Sequence, residues 1–513
     1  MKSWQNNQYG QLFWWRENPN LHTLITLWGY PLAALNQIES FKLTFVLFDV
    51  NGNFQTCWER SLNKKQCIFW DSATCCETQL NLTEGVLAVF VEAVNASIDI
   101  KPSSLYSIID WYSESGEIVT LHSDQLIHPN NKSSEWTEIV IRETSTAQNS
   151  LVVINGSVSQ PENSITLEIQ NHLGKTLETV YQPQMNPFSI HKLKLRELFP
   201  NLLDFADGNH VTVTGKFTSK GVFIRPYVVT EDVYLSGYHG GDRYSWQGLP
   251  AIAYRYMGKG EVNPMMALHQ KDLTTTVNLL NTHGDLEQDF WVDAYLYDET
   301  GKLVTKRDRW LLAGRNRLNR GEIQDLLPDN ASFVGHVALN FSQDEHDFYP
   351  RRLQALMEYR TTKNTARVMA WSDVWNWRDR QKYVEDLTYV AYFRVWCKSP
   401  LISYISLTNC GIDPDYELSL EYTLRLQKED GESLSYCGAI PPQGTIYQPV
   451  TYFFPEIKDF LGDRKVALVV IETKGDIASM HLSHNQNSGV YGAEHFLPAP
   501  IYYQDRFHFP CGS

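Results

Sequence analysis

Apolar and polar side chains alternate along several short segments of this chain. In the clearest segment, residues 290–297, large apolar side chains alternate with other residues. Alternation with a period of two predicts a β-strand that buries one face. A polar turn that ends at Gly301 follows, and residues 302–305 begin a second strand-like run. Since a tight turn between antiparallel strands needs residues that tolerate positive φ, this pattern predicts a β-hairpin.

The hairpin pattern recurs along the chain with a period of about 125 residues, close to the size of one domain. Its turn glycines are Gly52, Gly174, Gly301 and Gly431. A second landmark, an apolar pair followed by proline, has the same period in the last three copies and ends at Pro200, Pro328 and Pro455. Because proline ends a helix, this landmark predicts a short helical turn that plugs one end of a sandwich.

Short strands, frequent turns and little helical periodicity predict an all-β fold. The repeat predicts four tandem β-sandwich domains, of immunoglobulin-like or fibronectin-like topology, with short helical plugs. Their predicted bounds are residues 1–135, 148–245, 265–385 and 395–513. The first domain is divergent and has an aromatic N-terminal segment, and the fourth has a C-terminal tail. The period is too long for the blades of a β-propeller.

Charge and composition narrow the partner classes. The formal net charge of −15 disfavours nucleic acid and anionic membranes as partners, because both are themselves negative. The amino terminus has no apolar core and no stretch is long enough to cross a bilayer, so we expect a soluble cytoplasmic protein. The eight cysteines show no CxxC spacing and are expected to be small buried residues. The common nucleotide, esterase and metalloprotease motifs are missing.

The histidine-rich segment 480–495 predicts a hairpin that closes the fourth domain. With the turn centred on residues 487–489, His481 lies opposite His495 on one sheet face, and cross-strand neighbours are roughly 5 Å apart. Two imidazoles at that distance can share a zinc or iron ion, with a carboxylate as third ligand. Glu494 is expected on the other face, so the third ligand has to come from elsewhere. The alternative is that both histidines are ordinary polar residues of a solvated hairpin.

The equivalent hairpins of the first two domains end near His122 and His239. This recurrence is either a functional rim or an inherited structural feature of the hairpin. The loop 236–256 combines glycines with aromatic and charged side chains that suit a sugar ring or a peptide. Its candidate partner-binding residues are Tyr238, His239, Asp242, Arg243 and Trp246. The alternative is a connector whose aromatic residues pack between domains two and three.

A concentration of basic residues in the third domain contains Arg309, Trp310 and Arg317. Arginine beside tryptophan is typical of an interface hot spot or an anion site, so these residues are also candidates for partner binding. A solvated sheet edge protected by charges is the alternative.

Two functions follow from these patterns. The first is a non-catalytic binding or scaffolding protein that presents the loops of its domains to a protein or carbohydrate partner. The second is a metal-assisted or acid–base enzyme. Its site would lie at the closing hairpin of the fourth domain or at the junction of domains two and three, with His481, His495, His239 and Asp242 as its first residues.

Overall fold

A computed structural model describes most of the chain. The described residues are 10–29, 38–75, 82–94, 105–122, 125–127, 134–218, 221–223, 225–242, 263–280, 290–313, 318–328, 331–342, 354–371, 389–411, 416–473, 475 and 477–498. The structure is nearly all β, with 63% strand and 6% helix in several antiparallel sheets, which confirms the predicted fold class.

Copy one, the first set of eight strands, forms two four-strand arrays. Its strands are β1 (Gly10–Arg16), β2 (His22–Trp28), β3 (Ser40–Phe48), β4 (Phe54–Asn63), β5 (Cys67–Asp71), β6 (Glu84–Val94), β7 (Tyr106–Tyr112) and β8 (Ile118–His122). The strand orders are β4-β3-β6-β1 and β5-β2-β7-β8. A short strand, β9 (Leu126–Ile127), extends the first array beyond β1.

Copy two repeats this order. Its strands are β10 (Ser134–Arg142), β11 (Gln148–Ile154), β12 (Ile165–Gln170), β13 (Thr176–Tyr181), β14 (Ile190–Lys194), β15 (His210–Phe217), β17 (Tyr227–Glu231) and β18 (Leu235–His239). The short strands β16 (Val222–Phe223) and β19 (Gly241–Asp242) pair with β9 and β10. Because β10 pairs with β15, the first strand of copy two lies ahead of the predicted boundary at residue 148.

Copy three has the same arrangement. Its strands are β20 (Asn263–Gln270), β21 (Leu273–Leu280), β22 (Phe290–Asp298), β23 (Leu303–Ala313), β24 (Asn319–Glu322), β25 (Phe333–Phe341), β26 (Gln354–Arg360) and β27 (Thr365–Trp371). The orders are β23-β22-β25-β20 and β24-β21-β26-β27, joined where β20 and β21 form a hairpin.

Copy four completes the described strands. They are β28 (Tyr389–Lys398), β29 (Leu401–Thr408), β30 (Leu420–Gln427), β31 (Ser433–Ile440), β32 (Thr445–Pro449), β33 (Val466–Thr473), β34 (Ala478–Asn485), β35 (Val490–His495) and β36 (Leu497–Pro498). The orders are β31-β30-β33-β28 and β32-β29-β34-β35, and β36 pairs with β28.

The pairing order separates these copies from an immunoglobulin constant domain, whose sheets run A-B-E-D and C-F-G. In every copy of the described chain the second strand pairs with the fifth and the third with the sixth, as in that domain. The first strand, however, pairs with the sixth, and the seventh pairs with the second. The immunoglobulin-like part of the expectation is therefore not confirmed.

Short helices lie at the predicted proline landmarks. Helical turns span Leu195–Leu198 and Val450–Phe453, and a 3-10 turn spans Ile323–Leu326; Leu202–Ala206 and Ile457–Leu461 are further short helices. Each of the three landmark turns buries apolar side chains, as a plug requires. In the described chain, no helix is long and apolar enough to cross a membrane.

Two of the predicted turn glycines, Gly52 and Gly301, lie where neighbouring copies meet. Gly52 and Gly301 have φ values of 85° and 88°. A Cβ atom on Gly52 would lie 1.9 Å from the carbonyl oxygen of Pro187 in copy two, and one on Gly301 would lie 2.0 Å from that of Pro442 in copy four. These two positions need glycine both for the backbone conformation and for the close approach of the next copy.

The last strands of the four copies form a closed ring. β8 packs against β18 and β35, and β27 packs against the same two strands. The strands begin at the same end of this ring, where Leu235 N–H donates to Glu117 and Asn364 donates to Tyr491 O, both next to strand starts. β8 and β18 are buried on both faces although each ends its own sheet, because the other copies cover these edges.

Candidate metal centre

Three histidines and one glutamate meet where β8, β18 and β35 end. His122 and His239 are the last residues of β8 and β18, and Glu494 and His495 are the last two of β35. One ligand atom from each of the four side chains can be chosen so that all lie within 4.8 Å of one another. The ring therefore brings residues from copies one, two and four into one cluster.

The cluster follows from the direction of the ring strands. Since β8, β18 and β35 begin together and have similar lengths, they also end together. The imidazoles of His122 and His239 are 4.0 Å apart between ring centroids, and those of His122 and His495 are 5.0 Å apart. In copy three the equivalent strand, β27, ends at Trp371 instead of histidine.

His239 and His495 share one hydrogen-bonding pattern. Nδ1 of His239 lies 3.1 Å from Gly240 O, and Nδ1 of His495 lies 3.0 Å from Phe496 O. A carbonyl oxygen only accepts, so Nδ1 carries the proton in both rings and the neutral ring has its lone pair on Nε2. The two Nε2 atoms lie 3.9 Å and 3.5 Å from oxygens of the Glu494 carboxylate. Backbone carbonyls commonly fix metal-ligating histidines in this tautomer.

His122 has a different partner. Its Nε2 lies 3.1 Å from Nη1 of Arg225, a buried guanidinium. Because arginine has donors only, Nε2 of His122 accepts and Nδ1 carries the proton. That Nδ1 lies 3.6 Å from Oε2 of Glu494. His122 therefore faces the carboxylate with a proton, whereas His239 and His495 face it with a lone pair.

Glu494 is the centre of the cluster and is only 1% exposed. Burial alone would raise the pKa of its carboxyl, but attraction to the positive charges that His122, His495 and His239 carry when protonated outweighs burial and lowers the pKa to about 2. The backbone N–H groups of His122 and His495 also donate to the carboxylate, at 3.3 Å and 2.9 Å. Glu494 is consequently a buried anion at neutral pH, surrounded by nitrogen atoms.

The donor set fits a first-row transition metal. Ligands about 2.1 Å from a tetrahedral zinc ion are about 3.4 Å from one another. Nε2 of His495 lies 3.5 Å from Oε1 of the carboxylate and Nε2 of His239 lies 3.9 Å from Oε2, so each nitrogen–oxygen pair is close to that value. Imidazole and carboxylate together suit zinc or iron, whereas magnesium and calcium prefer oxygen ligands alone. The His495 side chain is 23% exposed and leaves a route from solvent.

The hairpin register differs from the sequence prediction by one residue. β35 pairs Met480 with His495 and His481 with Glu494, because the connecting turn, residues 486–489, is one residue longer than the predicted turn 487–489. A slip of one residue exchanges the two faces of a strand. His481 therefore does not share a face with His495, and the predicted opposition of these two residues is wrong.

His481 lies inside copy four instead. Its Nε2 is 2.6 Å from Ser403 Oγ, and its ring lies 4.3 Å from that of Phe393. Burial lowers its pKa well below the ordinary value of 6.5. The structure thus places one predicted metal residue, His495, in the cluster and the other, His481, in a polar pocket of the core.

Sequence reasoning set Glu494 aside because consecutive strand residues point to opposite faces. His495 departs from that rule at the end of β35, where its ring turns back to Phe496 O and its N–H donates to Glu494. The recurrence of histidine at the ends of equivalent hairpins was the signal that pointed to His122 and His239. Arg225 gave no signal in the sequence.

Those of the remaining predicted partner-binding residues that the structure describes are dispersed. Tyr238 is 1% exposed, and its hydroxyl donates to Val140 O, so it belongs to the core. Asp242 pairs through its backbone with Trp136 in β10. Arg309 has a positive φ of 51°, and its N–H donates to Asp293; Trp310 covers Gly321. Outside the described residues lie Arg243, Trp246 and Arg317.

No protein-family model matches the chain, and no curated protein matches it at a significant level. Residue roles in the cluster are therefore assigned from burial, hydrogen bonding and charge.

Proposed function

We propose that the protein is a metal-binding assembly of four β-sandwich copies closed into a ring. One zinc or ferrous ion binds at the end of the ring through His239, His495 and Glu494, next to His122. The ion links copies two and four, which are not consecutive in the sequence. Metal binding and the packing of these copies are then thermodynamically coupled, since an ion that binds only the folded ring stabilises it.

One observation carries the proposal. Three histidines and a carboxylate from three copies converge on one buried point, and two of the imidazoles face the carboxylate with their lone pairs. The Nδ1 donors of His239 and His495 bind backbone carbonyls, as those of metal-ligating histidines commonly do, and the carboxylate accepts from the backbone N–H groups of His122 and His495 instead.

The test is the metal content of protein purified without a histidine tag, followed by zinc titration of the chelator-treated protein in a calorimeter. We expect about one equivalent of zinc or iron, and its loss in the His239→Ala/His495→Ala variant. His172→Ala is the matched control, because His172 is exposed on a distant turn. Protein that neither retains nor takes up an equivalent of metal, or a variant that binds as well as the wild type, contradicts the proposal.

A binding or scaffolding role is the second candidate, and the exposed sheet edges favour it. In the described chain the fourth strand of each copy ends its sheet, and β13 and β31 have many exposed residues. An open edge can add a strand from a protein partner. If the protein binds no metal, this role becomes the working function, and the edge strands are the first surfaces to mutate.

A further inference from the structure

We infer that the described residues hold the ion through three protein groups, Nε2 of His239, Nε2 of His495 and the carboxylate of Glu494, and leave a coordination position open to an external ligand. His122 is a positioning residue that Arg225 holds away from the metal. This inference rests on the proposed function and deepens it, because an open position separates a site that can perform chemistry from a purely structural one.

Arg225 determines the tautomer of His122. A neutral imidazole has one lone pair, and Nη1 of Arg225 already donates to Nε2 at 3.1 Å. For Nδ1 to bind a metal ion, its proton would have to move to Nε2, and that proton would then face the guanidinium N–H. The positive charge of Arg225 adds repulsion toward a bound dication. His122 can join the coordination sphere only if Arg225 moves.

His122 contacts the carboxylate of Glu494 instead of the ion. Its protonated Nδ1 faces Oε2 of Glu494 at 3.6 Å, and its backbone N–H donates to the same oxygen at 3.3 Å. His122 thus holds and orients the carboxylate, as groups behind metal ligands commonly do. Arg225 thus contacts His122, and His122 contacts Glu494. His239 and His495 are the two histidines that bind the ion.

The three proposed ligands determine the chemistry of the site. Two histidines and one carboxylate hold catalytic zinc in some hydrolases and ferrous iron in oxygenases, and water or substrate occupies the open positions. The most exposed of the four side chains is His495, so an external ligand reaches the ion past this residue. An ion of this kind polarises a bound water molecule or carbonyl group. The site then suits metal-assisted catalysis.

The experiment is cobalt substitution of the full chain, with azide as the probe. Cobalt(II) bound to nitrogen and oxygen ligands absorbs visible light, and the spectrum changes when an external ligand enters the coordination sphere. We expect azide to shift the wild-type spectrum in a saturable way. A spectrum that azide leaves unchanged shows a closed site and overturns the inference. Failure to bind cobalt at all overturns the proposed function as well.

Variants separate the roles of the histidines. His122→Gln is expected to keep one equivalent of cobalt with an affinity about 10- to 100-fold lower, and to keep the azide response. His239→Ala should lose the cobalt. If His122 is instead a ligand, the wild type ignores azide and His122→Gln gains the response. The azide titration of the wild-type protein alone distinguishes an open site from a closed one. This test therefore still applies if a variant folds poorly.

Discussion

Glu358 and Glu494 are both buried carboxylates at joints between copies, yet their partners differ. Arg367 Nε lies 2.9 Å from Oε1 of Glu358, and Arg320 Nη1 lies 3.0 Å from Oε2. Around Glu494, the imidazoles of His122, His239 and His495 take the place of the arginine side chains. Burial would raise the pKa of both carboxyls, and in both sites the neighbouring groups outweigh it and lower the pKa.

The two sites differ in what they can bind. Arginine keeps its proton and offers no lone pair, so the Glu358 site, which has two arginines and the single imidazole of His210 with Nε2 3.9 Å from Oε1, is a salt-bridge network that ties copy three to His210 and Ser236 of copy two. Imidazole offers a lone pair at neutral pH, so the Glu494 site can accept a cation. The same burial of a carboxylate thus gives a structural joint in one place and a candidate metal centre in the other.

The largest effect is expected at the arginine site. Glu358→Ala leaves Arg367 and Arg320 without their shared carboxylate, and removing one partner of a buried ion pair lowers the free energy of unfolding by about 3–5 kcal/mol. Urea denaturation measures this loss. The control is Glu114→Ala, which breaks an exposed pair with Lys465 and should change stability by less than about 1 kcal/mol. Equal effects in the two variants would refute the structural role of Glu358.

The second effect depends on pH and concerns Glu494 in metal-free protein. Its pKa is about 2 in the folded protein against an ordinary value of 4.5, so ionised Glu494 stabilises the fold above pH 4.5. The shift corresponds to about 3 kcal/mol. Glu494→Gln should therefore be less stable than the wild type above pH 4.5, and the difference should shrink as the pH falls below 4.5. A difference that stays constant with pH in urea titrations would contradict the buried anion.

A third, smaller effect is expected at Gly301, where copies three and four meet in a contact that involves no charged group. Gly301→Ala places a Cβ atom 2.0 Å from Pro442 O at a φ of 88°, so strain and overlap should lower the free energy of unfolding by about 2–3 kcal/mol. Gly174→Ala is the matched control, since Gly174 also has a positive φ but no atom within 4 Å of the added Cβ. It should lose only about 1 kcal/mol. Identical unfolding midpoints would show that the turn does not hold copies three and four together.

The smallest effect on metal binding is expected at His481. His481→Asn should leave the zinc stoichiometry unchanged, because Nε2 of His481 contacts Ser403 rather than the cluster. Calorimetric titration beside His239→Ala, which should lose the metal, gives the comparison. Loss of zinc binding in the His481 variant would instead support His481 and His495 as the metal ligands, as the sequence pattern suggested.

Local signals carried most of the fold prediction. The hairpin glycines and the helical turns before proline depend on residues a few positions apart, so the sequence revealed them directly. The pairing order of the strands depends on distant segments, and the immunoglobulin-like topology was a guess by analogy. The ring of β8, β18, β27 and β35 has no local signal, because it depends on how whole copies pack.

The candidate site shows the same limit. Histidines at the ends of equivalent strands were visible, but their convergence depends on ring closure. A turn longer by one residue than predicted places Met480 instead of His481 opposite His495, and the long side chain of Glu494 reaches a cluster that strict alternation excludes. Arg225, which fixes the tautomer of His122, comes from a segment with no recognisable motif.

Zinc titration of metal-free protein, with the His239→Ala/His495→Ala variant alongside, tests the central claim most directly. The account predicts one equivalent bound by the wild type and none by the variant, together with a higher unfolding temperature for the wild type alone when zinc is present. Wild-type protein that binds no zinc or ferrous ion would show that the histidines and Glu494 are a polar core and not a metal centre.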